Sequence, residues 1–183
     1  MKNPNLMVSC RSIFKDITMK AVIFDLDLTL VDTTVLEPYR HNRDWQGAYS
    51  NISRCTLYPG IPELFDFIRR NGVQVCIVST SPRPYVERIV RYFNIPVNAI
   101  VGYHDAKPIK PAPQPMFKAL ELLNSRAVDA VSFGDRAIDI LASKSACVKA
   151  VACTWGTKEL PWLLASNPDA VINAVSEMIP YLY

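Results

Sequence analysis

The chain has 183 residues, half of them hydrophobic and a fifth charged, which suits one folded globular domain and excludes a disordered or fibrous chain. Lysine plus arginine exceed aspartate plus glutamate by 20 to 17, so no strong overall field draws the protein to nucleic acid or to an acidic membrane. Six scattered glycines form neither a GxGxxG nor a GxxxxGK[ST] loop, the two histidines have no HExxH spacing, and no serine sits in GxSxG; dinucleotide, P-loop, zinc-hydrolase and Ser-His-Asp chemistry lose their sequence support.

Cys10, Cys55, Cys76, Cys147 and Cys153 are odd in number and contain no CxxC pair, which argues against a disulfide framework or a metal knuckle. Cys76 and Cys153 lie in apolar runs and read as small core residues. No apolar stretch approaches the roughly 20 residues that cross a bilayer, and the first 18 residues carry charges without a long apolar centre, unlike a signal peptide. The expected location is the cytoplasm.

From Ala21 onward, short apolar runs alternate with helical patterns, the signature of a parallel sheet with crossover helices. AVIFD at 21–25 is the first expected strand. A helix follows over 59–72, with Ile61, Leu64, Phe65 and Ile68 on one face and Asn71-Gly72 as its stop. Residues 73–79 form the next strand, and 82–94 a helix with proline in its first turn. Strands at 97–102, 127–134 and 148–153 then alternate with helices at 115–124 and 138–146, before a tail with KELPWLLA, a short strand at 169–173 and a last helix ending near Tyr181. The fold class is therefore α/β, a three-layer Rossmann-like sheet with helices on both faces.

Two segments break the alternation. Residues 30–58 are too long for a plain connection and read as an insertion over the carboxyl edge of the sheet. Residues 104–115 form a proline-rich loop after the third strand. Right-handed crossovers bring these loops and the strand ends to one edge, where open parallel sheets keep their sites.

Four features fall at that edge. Asp25 and Asp27, in DLDLT, put two carboxylates one residue apart where a strand runs out, a spacing that suits a nucleophile and a proton carrier as well as a plain strand-to-loop boundary. Ser79-Thr80-Ser81 precedes a helix, where hydroxyls and free N–H groups cap the helix or hold an anion. Either Lys107 or Lys110 brings a cation from the proline-rich loop. Asp135 and Asp139, after Gly134, place two acids one helical turn apart, which suits an acidic helix start or a hard divalent cation.

This ordered set, one element after each successive strand, resembles the haloacid dehalogenase-like hydrolase superfamily, and YPGIPEL before the first helix resembles its phosphoglycolate-phosphatase-like branch. The resemblance covers about residues 20–175. It implies a magnesium-dependent phosphatase in which Asp25 is the nucleophile, Asp27 the general acid and base, and Ser79 and Lys110 the phosphate cradle. Asp25, Asp135 and the main-chain carbonyl of Asp27 would hold Mg2+, Asp139 would orient that cluster, and Thr29 would support it. KPxPxxF matches the family phrase at Lys110 rather than Lys107. Leu28 departs from it, since glycine is usual there.

Residues 1–19 precede the usual family start and read as an N-terminal extension to one catalytic domain over 20–183, with its cap reduced to residues 30–58. The expected partner is a small phosphorylated substrate, with phosphoproteins, nucleic-acid ends, a homo-oligomer and a non-catalytic binding module as open alternatives. Arg40, His41, Arg43 and Arg54, with Tyr39, Trp45 and Tyr49, are candidates for anionic or aromatic parts of a substrate, or for a solvated face with its aromatics packed on the core.

Overall fold

The computed structural model describes residues 19–183, so the N-terminal extension, Met19 apart, lies outside the described residues. The chain runs β1 (Ala21–Phe24), β2 (Val31–Asp32), α1 (Glu37–His41), α2 (Trp45–Ser50), β3 (Thr56–Leu57), α3 (Ile61–Arg70), β4 (Gln74–Val78), α4 (Arg83–Tyr92) and β5 (Ala99–Val101). It continues through α5 (Gln114–Leu122), β6 (Ala130–Gly134), α6 (Ala137–Ser145), β7 (Lys149–Cys153), α7 (Leu160–Ala165), β8 (Ala170–Ile172) and a 3-10 helix, Val175–Leu182.

Six of the strands form one parallel sheet in the order β5–β4–β1–β6–β7–β8. Successive strand residues face opposite sides, so the sheet separates two cores. Val22 and Phe24 pack with Leu64, Phe65 and Ile68 of α3, Val86 and Ile89 of α4 and Met178 of the last helix. Ala21 and Ile23 pack with Met116 and Ala119 of α5 and Ala142 of α6. With helices on both faces, β1 is apolar throughout and fully buried.

The helices stop where short polar or glycine residues take the left-handed conformation: Gly72, Asn94, Asn124 and Asn167 have φ between 46° and 67°, and Cys147 does the same after α6. The expected strand over 127–134 is shorter at its start. Arg126 bonds both carboxylate oxygens of Asp129, closing a 3-10 turn over Ala127–Asp129, and pairing begins at Ala130. The last helix is 3-10, with Pro180, which lacks an N–H donor, inside it.

The strand order reverses at β1, with β4 on one side and β6 on the other. At this switch point loops after neighbouring strands diverge and leave a crevice at the carboxyl ends. Residues between Leu30 and Tyr58 stand over it, their ends clipped by the antiparallel pair β2–β3 and the middle filled by α1 and α2.

Candidate active site

Asp25 is the first residue beyond β1, and its N–H donates to Phe133 O of β6. The chain then turns through Leu28, whose φ of 65° lies in the left-handed region. A leucine there costs roughly 1–2 kcal/mol relative to the right-handed form, which is why glycine suits this position. The turn is held by Leu28 N–H to Val31 O at 2.8 Å and by Gly156, where a Cβ would meet Leu28 O at 2.0 Å. Gly156→Ala is therefore expected to cost about 1–3 kcal/mol by overpacking, read as a lower thermal midpoint; an unchanged midpoint would show that the turn yields freely.

Lys110 comes from the proline-rich loop and is buried, with its ammonium donating to Asp25 Oδ1 at 2.7 Å, Val78 O at 2.7 Å and Asp139 Oδ1 at 2.5 Å. Burial alone would pull its pKa down, but Asp139 and Asp25 outweigh that and hold it above the ordinary lysine value. Lys107 instead stands over the Tyr103 ring.

Asp139 is held at both oxygens, since the second accepts from the Arg136 N–H at 3.0 Å. Gly134 leaves room for it: a Cβ there would lie 2.4 Å from the Asp139 Cβ. Asp135 is also buried, and Thr29 Oγ1 donates to it at 2.8 Å.

Ligand atoms of Asp25, Asp135 and Asp139 lie within 4.8 Å of one another. One buried ammonium serves Asp25 and Asp139, and among the described residues no cation is bonded to Asp135. Burial, with Lys110 partly opposing and Asp139 and Asp27 adding, raises the Asp25 pKa from 3.8 to about 7. Burial and then Asp25 and Asp139 push Asp135 well above its ordinary value. An excess of buried hard oxygen donors fits a divalent cation such as Mg2+.

Asp27 faces away from this cluster. Its Oδ1 accepts from Thr33 Oγ1 at 2.8 Å and Tyr85 OH at 2.7 Å; its Oδ2 accepts from Ser81 Oγ at 3.1 Å and pairs with Arg40 at 2.8 Å. Ser79 is buried after β4, and its Oγ accepts from the Ser81 N–H at 3.0 Å, leaving its own proton to donate. Of this stretch, Thr80 lines the cavity.

That cavity, of about 190 Å3, is walled by Asp25, Asp27, Thr80, Lys110 and Asp135 and by Arg40 and Glu37 of α1. Lys158 bonds Glu37 at 2.5 Å, tying the β7–α7 loop to α1 across the rim. The Trp155 indole donates to Thr29 O at 3.1 Å, so the same loop also supports the first turn.

Sequence reading did not find the set around Asp27. Tyr85 sits on α4 as one more buried ring and Thr33 carries no motif; Ser81, expected to cap a helix or hold an anion, and Arg40, expected to meet an anionic part of a substrate or solvent, were not linked to Asp27.

A parallel sheet with its acids, lysine and hydroxyls gathered at the β1 switch point defines a haloacid dehalogenase-like hydrolase. The chain belongs to that family: the model of haloacid dehalogenase-like hydrolases matches residues 37–153. It is 32% identical over 133 residues to the pyrophosphatase PpaX of Bacillus mycoides (strain KBAB4), an alignment covering 69% of this chain and 58% of that protein; the PpaX of Bacillus cereus (strain B4264) gives the same figures. The chain thus spans less than two thirds of the length of these curated relatives. A predicted phosphoglycolate phosphatase from Haemophilus somnus 129PT shares the fold with a TM-score of 0.79 at 19% identity, over 91% of this chain and 99% of that one. So does CbbY from Rhodobacter sphaeroides in complex with phosphate, with a TM-score of 0.77 at 18% identity, over 87% and 96%. Among the described residues no helix is long and apolar enough to cross a membrane.

Proposed function

We propose that this chain is a magnesium-dependent phosphatase that hydrolyses a small phosphomonoester through an aspartyl phosphate on Asp25, within one catalytic domain over 20–183 capped by residues 30–58. The observation that carries this reading is the position of Asp25, a buried carboxylate at the floor of the cavity with Lys110 bonded to one oxygen and Asp135 beside it. The other Asp25 oxygen is the nucleophile. It forms a bond to phosphorus as the bond to the leaving oxygen breaks, and Asp27 gives that oxygen its proton. Water then attacks phosphorus, Asp27 takes back a proton, and the bond to Asp25 breaks to release phosphate.

Asp25, Asp135 and the main-chain carbonyl of Asp27 would hold Mg2+, which supplies charge neutralisation and Lewis acidity at the phosphoryl oxygens. Lys110 and the Ser79 hydroxyl bind phosphoryl oxygens as charge shifts during transfer. Thr29 fixes Asp135, while Asp139 fixes Lys110. The pyrophosphatase names of the curated relatives agree with phosphoryl hydrolysis, and a cavity of about 190 Å3 favours a small ester over a phosphoprotein or nucleic-acid end. The free cysteines Cys55, Cys76, Cys147 and Cys153 support a reducing, cytoplasmic location.

Phosphate release from a panel of monoesters, with and without Mg2+, tests the reading. Turnover that needs the metal and falls at least about 10³-fold in Asp25→Asn is expected. A wild type silent on every small ester, but binding a phosphorylated macromolecule without turnover, would replace it with a binding module.

A further inference from the structure

Several surface arginines have acidic partners: Arg69 has Asp66, Arg126 has Asp129, and Arg136 faces Glu159. Arg88 and Arg91 of α4 do not. Glu87, the one acid of that helix, faces Arg83 at 3.7 Å, and among the described residues no carboxylate pairs with either of the two guanidinium groups. Standing three residues apart, they share one face of the helix. Both line a surface cavity of about 360 Å3 between α4 and the insertion, within the range of roughly 300–1,000 Å3 usual for small-molecule sites.

The insertion supplies the other wall, Tyr49 and Ser50 of α2 with Ile52 and Ser53 of the 3-10 turn Ile52–Arg54, and no carboxylate lines the cavity. The Arg88 guanidinium lies over the Tyr49 ring, 4.3 Å from its centroid, which fixes the cation against the insertion while its N–H donors stay available to an oxyanion. Tyr92 is 52% exposed, with its ring perpendicular to that of Phe93 at 4.9 Å, so an aromatic surface stands in water beside the two cations. Ser50 Oγ donates to Gln46 O at 3.1 Å and can still accept a proton from a ligand hydroxyl.

We propose that this cavity is a second ligand site, and that it binds a nucleoside monophosphate. The phosphate dianion meets Arg88 and Arg91, whose two charges balance it, the base stacks on Tyr92, and a sugar hydroxyl donates to Ser50. Charge and ring together select the ligand. An inorganic anion leaves Tyr92 uncovered, and a neutral nucleoside leaves both arginines unmatched. The cavity shares no lining residue with the one that holds Asp25 and Lys110, so the inference is independent of the phosphatase reading.

The test is titration calorimetry in EDTA, which withholds the metal that the proposed turnover needs. AMP is expected to bind the wild type at least about tenfold more tightly than orthophosphate or adenosine, since each of these offers only half of the contacts. Arg88→Gln, Arg91→Gln and Tyr92→Ala are each expected to weaken AMP about tenfold, whereas Ser79→Ala, in the catalytic crevice, leaves its affinity unchanged. Circular dichroism confirms that each variant folds. No binding of AMP to the wild type at millimolar concentration, an equal affinity for orthophosphate or adenosine, or AMP binding that survives in a folded Arg88→Gln/Arg91→Gln double variant overturns the inference. So does loss of AMP binding in Ser79→Ala, which places the nucleotide in the catalytic crevice, and so does a hexaglutamate peptide that binds as tightly as AMP, which makes the cavity a surface for an acidic protein segment. These arms decide the matter whether or not any ester is hydrolysed.

Discussion

Asp25→Asn is expected to raise the unfolding midpoint of the magnesium-free protein at pH 8 while removing its turnover. The Asp25 carboxyl has a folded-state pKa of about 7 against an ordinary 3.8, chiefly because it is buried, with Asp139 and Asp27 adding repulsion that Lys110 only partly offsets. The fold therefore binds the proton more tightly than the unfolded chain does. By linkage the stability this gives is fully present below about pH 4 and is lost as pH rises through 7. Each unit inside that window removes at most about 1.4 kcal/mol, so the ionised group costs of order 2–4 kcal/mol at pH 8. Asparagine has nearly the same shape and nothing to ionise.

The variant should accordingly exceed the wild type at pH 8, lose more than half of that advantage at pH 5, and fall behind once Mg2+ is added, because the cation favours the ionised carboxylate that only the wild type has. Thermal melts at the two pH values, with and without the metal, check all three. A variant less stable than the wild type at pH 8 without metal would show that the Lys110 ion pair outweighs burial and repulsion.

Much of this site was legible because its chemistry sits where periodicity breaks. Asp25, Ser79 and Asp135 each follow a run of apolar residues, and a strand that ends in a polar residue marks its own carboxyl end. Knowing that the strands are parallel puts those ends on one edge, and the α/β class follows from the same alternation. Lys110 was harder, because nothing in a proline-rich loop tells which lysine turns inward; only the resemblance preferred it to Lys107, and the structure places its ammonium between two carboxylates.

The pairing of Asp27 with its partners was beyond reach for a different reason. Ser81, Tyr85 and Arg40 come from 13 to 58 positions away on three loops and helices, and their convergence depends on how α1 and α4 pack over the crevice. Helical spacing finds the buried stripe of α4 but cannot distinguish Tyr85, whose hydroxyl reaches the site, from Ile89, which only packs. The 3-10 turn before β6 escaped notice because its residues, AVD, look like the strand they precede.

Lys110→Met should be the most damaging single change to the fold of the site. It keeps the length of the stem but leaves Asp25 and Asp139 as buried carboxylates without their shared cation, and Val78 O without its donor. Breaking a buried pair from one side costs about 3–5 kcal/mol, since the remaining charge stays desolvated. Turnover is expected to fall about 10²–10³-fold, because a fixed positive charge at the phosphoryl oxygens is lost. Lys110→Arg should rescue little, as a planar fork cannot reproduce three bonds from one tetrahedral ammonium.

Two measurements separate the charge argument from simple loss of packing. Adding Asp139→Asn to Lys110→Met removes one of the two stranded carboxylates, so the double variant should be more stable than Lys110→Met alone, a coupling that a packing defect does not produce. Mg2+ should also restore more stability to Lys110→Met than it adds to the wild type, because the metal then meets one more uncompensated charge. A double variant that is less stable than either single change, or equal metal stabilisation of both proteins, would mean that Lys110 holds the loop in place and contributes little to the charge balance of the site.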